Sequence, residues 1–226
     1  MINMYIHIYL QITNKMDYSN KQVDIKGITS ADKKKISQSM SWVLRHGIDE
    51  LGLKIDEIGR IPLQTLLELK QIKQTGATEA IVREIVETSD KQRFRLDDVN
   101  GKWMIGANQG HSKEIGDKIN TSKLMEKITK PVELCVHGTY TKFINSIKKT
   151  GLNKMARTHI HLATRYPDDS TVISGARNSA NVFIVIDIEK ALSDGIEFYR
   201  SANGVILTSG VNGILEPKYF KDIVYK

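Results

Sequence analysis

Histidines are concentrated in two short stretches of the sequence, residues 136–139 (VHGT) and residues 157–162 (RTHIHL). An imidazole changes its charge near neutral pH and, when neutral, both donates and accepts hydrogen bonds. His159 and His161 are two residues apart, so on a β-strand both would lie on one face while Ile160 lies on the other. Such a face is suited to binding a polar ligand.

The same histidines allow a second interpretation, a metal site. Zinc accepts thiolate and imidazole ligands, and groups of these kinds lie on what would be adjacent strands: Cys135, His137, His159 and His161. The chain has no strong paired zinc spacing of the kind that marks the common zinc modules. A polar ligand therefore fits the pattern better, and we expect no metal.

Two further segments carry groups that bind anions. Arg45 and His46 stand at the end of a helical pattern that Gly47 would terminate. Basic residues there also complement the helix dipole, so simple end-capping is an equally good explanation of this pair. Residues 108–112 (NQGHS) combine side-chain donors with a glycine that lets backbone amides approach a ligand, although an ordinary polar loop has a similar composition.

The first half of the chain must position some of these groups, and it has the pattern of a winged helix. Apolar residues at helical spacing predict three helices, beginning near Ser30, Pro62 and Thr78. Asn100-Gly101, a dipeptide that favours a tight hairpin turn, then joins two strand-like runs. Three helices and a hairpin are typical of a winged helix, a fold that often presents a basic surface to nucleic acid.

The second half has a different pattern. Residues 132–136, 182–186 and 204–208 are apolar runs that predict strands, and residues 143–147 carry a helical stripe. The polar, charged residues 113–130 predict a domain boundary between the two halves. The fold class expected from these patterns is α+β.

Composition points to an anionic partner. The formal net charge of +7 and the pI near 9.3 favour nucleic acid or a phosphorylated cofactor. A single cysteine cannot form an internal disulfide and favours a reducing compartment, so we expect a cytoplasmic location, with the nucleus as a further possibility. Residues 1–12 lack the features of a signal peptide, and we expect no membrane segment. Met16 is a second candidate start.

Six short motifs, taken in order, resemble the signature of a known family. They are Leu44-Arg45-His46, Lys91-Gln92-Arg93-Phe94, Asn108-Gln109-Gly110-His111-Ser112, His137-Gly138-Thr139, Arg157-x-His159-Ile160-His161-Leu162 and Phe198-Tyr199-Arg200-Ser201-x-Asn203-Gly204-Val205. The set is similar to the signature of the RNA 2′-phosphotransferase family, the tRNA-splicing enzymes that use NAD. The resemblance extends from about residue 33 to about residue 220. Each motif alone is weak, but the ordered set is highly specific.

The resemblance implies a reaction in two steps. An internal 2′-phosphate of a spliced RNA attacks the ribose carbon of NAD that bears nicotinamide, which gives an RNA-2′-phospho-ADP-ribose intermediate. The ribose 2″-hydroxyl then attacks phosphorus. The products are 2′-hydroxyl RNA, ADP-ribose 1″,2″-cyclic phosphate and nicotinamide, so NAD is consumed as a co-substrate.

The resemblance also implies a division of the chain. We expect a flexible tail at residues 1–30, a winged-helix RNA-binding lobe at 31–115, a linker at 116–130 and an ADP-ribosyltransferase-like NAD-binding lobe of mixed β structure at 131–226. We expect the protein to act as a monomer on RNA that carries an internal 2′-phosphate, with spliced tRNA as the leading substrate.

By the same resemblance, the catalytic residues are Arg45, His46, Arg93 and Arg157. The guanidinium groups would bind phosphate oxygens through paired, permanently charged donors, and His46 would be the acid for the departing RNA 2′-oxygen. The implied NAD-binding residues are His137, Gly138, Thr139, His159, His161, Gly175 and Arg177. The residues expected to line the site between the lobes and to contact RNA phosphate are Gln109, His111 and Ser112.

Two positions depart from the family pattern. Gly106 stands where the family often has a basic residue, and no tryptophan occurs near Arg60 and Ile61. Neither change touches the arginine set, so both concern RNA affinity rather than chemistry. Two other functions stay open: an ADP-ribosyltransferase that modifies terminal phosphates of nucleic acids, and a non-catalytic winged-helix RNA-binding protein.

Overall fold

The computed structural model describes residues 28–166, 175–176 and 179–226. These residues form a mixed α and β structure in which short helices pack against several small antiparallel sheets. No helix among them is long and apolar enough to cross a membrane.

The first half of the described chain combines helices with one antiparallel sheet of strand order β1-β3-β2. Its elements are α1 (Ser30–Arg45), β1 (Arg60–Pro62), α2 (Leu63–Glu68), α3 (Lys70–Lys73), α4 (Glu79–Thr88), β2 (Phe94–Val99) and β3 (Lys102–Ala107). The predicted hairpin is confirmed. Asn100 and Gly101 have φ angles of 53° and 79°, and Val99 pairs with Lys102 across the turn. Positive φ at both central residues is what this tight turn requires.

The predicted helices form, with differences at their ends. α1 is capped by Thr29, one residue before the predicted Ser30, and α4 is capped by Thr78 as predicted. Pro62 belongs to β1, and the apolar run after it is divided into α2 and α3 at Leu69, whose ψ of 134° is extended. The helical spacing predicts the helical residues after Pro62, but nothing in it signals this break.

The second half holds the remaining helices and sheets. Its elements are α5 (Lys113–Gly116), α6 (Thr121–Leu124), β4 (Glu126–Ile128), β5 (Val136–Thr139), α7 (Thr141–Thr150), β6 (Leu152–Asn153), β7 (Ile160–Leu162), β8 (Val182–Ile186), α8 (Ile188–Ser193), β9 (Phe198–Arg200), β10 (Ile206–Thr208), β11 (Ile214–Leu215), a 3₁₀ turn (Pro217–Tyr219) and β12 (Phe220–Tyr225). The strands pair in the orders β4-β9-β10-β7, β12-β8-β5 and β11-β6.

Two large apolar cores hold these elements together. The first packs α1 to α4 against β1 to β3 and includes Met40, Leu66 and Ile105, all fully buried. The second packs strands β7, β8, β9 and β10 and includes Ile184 and Phe198. Removing this apolar surface from water is the main force that stabilises each core.

The stretch between the cores, for which the sequence predicted a linker, contains α6 and β4. Ile119, Met125 and Ile128 are buried there, and β4 pairs with β9 at the edge of the four-stranded sheet. These apolar residues are scattered among charged ones and show no regular spacing, so the sequence pattern does not reveal that they are buried.

Candidate active site

One short segment contacts the backbone at all three arginines of the expected catalytic set. This central segment runs from Asn108 to Ser112, between β3 and α5. The Asn108 N–H donates to the carbonyl of Arg93, and the Ser112 N–H donates to the carbonyl of Arg45, each at 2.9 Å. Ser112 also forms an isolated β-bridge with Arg157. The segment thus holds the end of α1, the start of β2 and the residues before β7 close to one another.

Arg45, the last residue of α1, points a largely buried guanidinium into this point. Its Nε and Nη2 atoms are buried and have no hydrogen-bond partner among the described residues. Burial, followed by the nearby charges of Arg157 and Arg93, lowers the pKa of Arg45 to about 10. Arg45 therefore stays charged at neutral pH. Buried cationic donors that lie next to further cations form a site for an anion.

Gly110 lets the central segment pass close to this guanidinium. Its φ of 88° lies in the left-handed region that favours glycine, and a Cβ at this position would be 3.4 Å from Arg45 Nη1. A side chain here would crowd the face of the guanidinium. The glycine therefore keeps the space beside Arg45 clear on this side.

Arg93 is held by the side chain of Asn108 as well as by its backbone. Asn108 Nδ2 donates to the carbonyls on either side of Arg93, at 2.7 Å to Gln92 and 3.3 Å to Phe94. Asn108 is 4% exposed, so water cannot readily replace these bonds. Asn108 is a positioning residue for Arg93.

Replacing Asn108 with Ala should therefore weaken both the fold and the site. Two carbonyl groups lose their donor, which is expected to lower the free energy of unfolding by about 1–3 kcal/mol. Displacement of Arg93 should lower kcat by about tenfold or more on the reaction proposed below. Urea unfolding and single-turnover rates at a temperature where the variant is folded measure the two effects. A variant that unfolds more easily but keeps the full kcat would remove the positioning role.

The strand β7 presents His161 as the alternation predicted, while His159 lies just before the strand. Ile160 and Leu162 are buried in the second core, while His161 lies on the other face. His161 Nε2 is 2.8 Å from Gln109 Oε1, so the two side chains share a hydrogen bond between the central segment and β7. On the neighbouring strand β5, His137 donates from Nδ1 to the carbonyl of His161 at 3.0 Å. This bond leaves Nε2 of a neutral His137 as an acceptor.

The histidines of the site are kept neutral. Burial, followed by the charge of Arg157, lowers the pKa of His161 to about 3, and burial followed by the charge of Arg45 lowers that of His111 to about 3. Burial also lowers the pKa of His159 to about 4. Neutral imidazoles do not repel the arginines, and they remain able to donate and accept hydrogen bonds.

These depressed pKa values predict a loss of stability in acid. Unfolded histidines have a pKa of about 6.5, so as the pH falls the unfolded chain binds protons before His111 and His161 do. The contribution of these histidines to the free energy of unfolding is full above about pH 6.5. It is lost toward pH 3, by about 1.4 kcal/mol per pH unit for each histidine. Urea unfolding between about pH 7 and pH 5 should show this slope of the free energy of unfolding against pH. His161→Gln should make the slope shallower by the contribution of one histidine. An unchanged slope would contradict the prediction.

The family model described as "RNA 2′-phosphotransferase, Tpt1 / KptA family" matches residues 31–210, most of the chain. The chain belongs to the RNA 2′-phosphotransferase family.

Its relatives in this family come from eukaryotes and bacteria. The human protein named tRNA 2′-phosphotransferase 1 is 45% identical over 190 residues, which are 83% of this chain and 74% of the human protein. A Schizosaccharomyces pombe relative is 42% identical over 191 residues, which are 83% of this chain but only 50% of that protein. A Flavobacterium johnsoniae relative is 36% identical over 189 residues, which are 83% of this chain and 95% of the bacterial protein. The chain therefore spans half the length of the fission-yeast relative and nearly all of the bacterial one.

In this member of the family, the central segment makes mainly structural contacts with its neighbours. His111 is 3% exposed, and its carbonyl accepts hydrogen bonds from the Thr158 N–H at 3.2 Å and from Thr158 Oγ1 at 3.3 Å. Gln109 is also buried, and it binds His161 as described above. Ser112 contributes its backbone to two arginines. The structure thus places Gln109, His111 and Ser112 together in the central segment, where they contact Arg45, β7 and the residues just before β7.

Glycines and Thr139 of the expected NAD segment have packing roles in the structure. A Cβ at Gly138 would be 3.1 Å from a neighbouring alanine, so any side chain there would require that neighbour to shift. Thr139 is buried at the end of β5. Gly175 has a φ of 95°, and a Cβ there would be 2.8 Å from the carbonyl oxygen of Leu162, which places Gly175 beside the end of β7. Arg177 lies outside the described residues.

The residues of the rival metal interpretation do not form a ligand set in the described part of the chain. Cys135 is buried in the second core, and burial raises the pKa of its thiol to about 12. A protonated, buried thiol is a poor metal ligand. No group of three or more His, Cys, Asp or Glu side chains among the described residues is arranged to hold a metal ion.

The family departure at Gly106 has a structural counterpart. A Cβ at Gly106 would be 3.0 Å from Arg60 Cγ and 3.0 Å from Arg95 Nη2. Arg95 in turn donates to the carbonyls of Ala107 at 2.7 Å and Ile58 at 2.5 Å. The space that a longer side chain at position 106 would need is thus occupied by the side chain of Arg95.

Two asparagines that join the parts of this site stand in the family motifs, but the sequence assigned them no role. Asn108 holds Arg93, as described above. Asn203, in the turn between β9 and β10, donates from Nδ2 to the carbonyl of Lys91 at 2.9 Å and accepts from Ser201 Oγ at 2.7 Å. It ties the backbone two residues before Arg93 to the second half of the chain. An asparagine that binds a distant carbonyl leaves no periodic trace, so only its place in the family motif could have identified it.

Proposed function

We propose that the protein transfers the internal 2′-phosphate of a spliced RNA, with tRNA as the leading substrate, to the ADP-ribose part of NAD. The products would be 2′-hydroxyl RNA, ADP-ribose 1″,2″-cyclic phosphate and nicotinamide. Family membership supports the phosphotransferase class. The observation that carries the proposal is the grouping of Arg45, Arg93 and Arg157 around one segment, in which Arg45 offers buried guanidinium donors that suit a phosphate.

The division of labour within the chain is part of the proposal. Residues 31–115 would be a winged-helix RNA-binding lobe and residues 131–226 an ADP-ribosyltransferase-like NAD-binding lobe. The two separate apolar cores support this division, and so does the hairpin that follows the helices of the first half. The central segment lies between the two proposed lobes, so an RNA phosphate bound at its arginines would lie next to NAD bound in the second lobe.

The arginines bind the phosphate and stabilise the charge that develops on it. In both steps negative charge lies on the non-bridging oxygens of the phosphorus, and fixed guanidinium donors stabilise that charge without reorganising. Because Arg45 is buried and close to Arg93 and Arg157, its interaction with an anion is stronger than it would be in water. An arginine is too basic to exchange protons in the reaction, so the proton transfers belong to other groups.

The neutral histidines suit the sugar of the co-substrate. NAD supplies a ribose carbon that can accept the phosphate oxygen while nicotinamide leaves. His137, His159 and His161 lie on or beside the adjacent elements β5 and β7, and burial keeps their pKa values below the usual range. Uncharged imidazoles can donate to and accept from ribose hydroxyls, so these residues fit a dinucleotide and would hold it next to Arg157.

We assign the proton of the second step to His46. It follows Arg45 as the C-cap residue of α1 and is exposed at the surface. Burial of part of the ring, followed by the charges of Arg45 and Arg157, lowers its pKa, while Glu114 acts in the opposite direction. A bound phosphate would offset the arginine charges and raise the pKa again, so that His46 is protonated when the RNA 2′-oxygen needs a proton.

The experiment for this proposal uses a short RNA with one internal 2′-phosphate, incubated with the protein in EDTA with and without NAD. We expect the RNA to lose the mass of the phosphate only with NAD, together with release of nicotinamide. Loss of phosphate without NAD would contradict the proposal. A matched RNA with only a terminal phosphate tests the alternative, because an end-modifying ADP-ribosyltransferase would add ADP-ribose to it and stop.

A further inference from the structure

An open groove lies on the first half of the molecule, next to the arginine site. It has a volume of about 490 Å³ and runs between α1 and the stretch that follows α4. One wall is formed by polar residues of α1, including Lys34, Ser37 and Ser41. The other is formed by the end of α4 and the residues after it, including Thr88 and Lys91.

Both walls lead directly to the proposed catalytic arginines. Lys34, Ser37 and Ser41 recur at helical spacing, so they share one face of α1, and the next position on that face is Arg45. The opposite wall continues along the chain into Arg93, which itself lines the groove. From Lys34 to Arg45 the helix rises by about 16 Å. The groove therefore extends the site, and its far end lies farther from Arg45 than a single nucleotide could reach.

The groove carries excess positive charge. Cationic side chains line both walls and the end near the site: Lys33, Lys34, Lys91 and Arg93. Asp90 is the acidic residue in the lining, and Lys33 is held in a salt bridge with Glu84. Serine and threonine hydroxyls fill the space between the cations. Lysines interspersed with hydroxyl donors are typical of surfaces that follow a nucleic acid backbone without reading its sequence.

We propose that this groove binds the sugar-phosphate backbone of the single-stranded RNA next to the 2′-phosphorylated nucleotide. This inference rests on the proposed function for the position of the reacting nucleotide, which fixes one end of the strand at Arg45 and Arg93. The strand then leaves the site along the face of α1. The protein thereby gains affinity from the length of the RNA and not from its sequence, because the lining offers donors for phosphates and few groups at fixed positions for bases.

Lys34 provides the test, and Lys35 provides a matched control. Both are exposed lysines on α1, one residue apart, but only Lys34 lines the groove. Lys34→Glu and Lys35→Glu change the charge of the protein by the same amount. Neither position is buried, so both variants should fold.

The measurement compares two RNAs that carry the same internal 2′-phosphate, a minimal one with a single neighbour on each side and one extended by single strands on both sides. We expect Lys34→Glu to raise KM for the extended RNA by about five- to tenfold at low salt and to change that for the minimal RNA by less than about twofold. The slope of log affinity against log salt for the extended RNA should fall by about 0.7, the share of one phosphate in a single strand. Lys35→Glu should change neither RNA's KM by more than about twofold.

Equal effects of the two variants, or equal effects on the two RNAs, would overturn the inference. So would unchanged RNA measurements with Lys34→Glu, the result expected if the groove took an acidic protein segment instead. Fluorescence anisotropy with the extended RNA lacking its 2′-phosphate gives a readout that needs no catalysis. If the wild-type protein failed to process even the minimal RNA, the proposed function would fail, whereas weaker anisotropy binding of Lys34→Glu would still support the groove.

Discussion

Replacing Arg45 with Gln is expected to lower kcat/KM for phosphate transfer by about 10²–10³, the usual cost of removing one fixed donor to a developing charge. The same change should not lower the melting temperature. The buried Nε and Nη2 atoms of Arg45 bind no described residue, and its charge lies near those of Arg93 and Arg157. Removing a buried charge that is repelled by its neighbours costs the free protein nothing and can stabilise it. Rates with 2′-phosphorylated RNA and thermal unfolding of the same samples measure both effects.

Arg95 is the matched control for this prediction. It is also a partly buried arginine of the first half, but its guanidinium donates to the carbonyls of Ala107 and Ile58. Arg95→Gln should therefore lower the melting temperature while leaving the rate within a few-fold at temperatures where it is folded. If Arg45→Gln instead lost stability and kept its rate, Arg45 would be a structural residue and the phosphate site would lie elsewhere.

Replacing His46 with Ala is expected to stop the reaction halfway, so that ADP-ribosylated RNA accumulates. In the first step the leaving group is nicotinamide, which departs without a proton. In the second step the RNA 2′-oxygen departs and needs a proton, and loss of a general acid typically costs about 10²–10⁴ in rate. Mass analysis of the RNA over time should show the heavier intermediate, which wild-type protein converts too quickly to accumulate.

The pH dependence provides a second check on His46. Its pKa is lowered by partial burial and then by Arg45 and Arg157, so the second step should slow as the pH rises through the pKa of the complex and the acid form is lost. The first step should change little over the same range. Slow turnover of His46→Ala without any intermediate would mean that His46 acts in the first step.

The sequence predicted the elements that rest on local patterns. Helix α1 shows its stripe and ends at Arg45, two residues before Gly47. The hairpin at Asn100-Gly101 has the turn that this dipeptide favours, and His161 lies opposite Ile160 on β7 as alternation requires. Each of these follows from spacing within a few residues, where backbone geometry decides.

The rest depends on contacts between distant parts of the chain. The pairing of the central segment with both Arg45 and Arg157 joins residues far apart in sequence, and no periodicity records it. The same holds for Asn203, which reaches the carbonyl of Lys91 across more than a hundred residues. The family resemblance named the arginines but gave no reason for their surroundings. The structure supplies that reason in the buried polar segment between them.

The most direct test of the account follows the phosphate itself. An RNA with an isotopically labelled internal 2′-phosphate is incubated with the protein and NAD, and the small products are separated and identified by mass. We expect the label to leave the RNA in ADP-ribose 1″,2″-cyclic phosphate, with one nicotinamide released for each labelled group. Label recovered as inorganic phosphate would show that water, and not the NAD ribose, accepts the phosphoryl group, and it would contradict the proposed transfer.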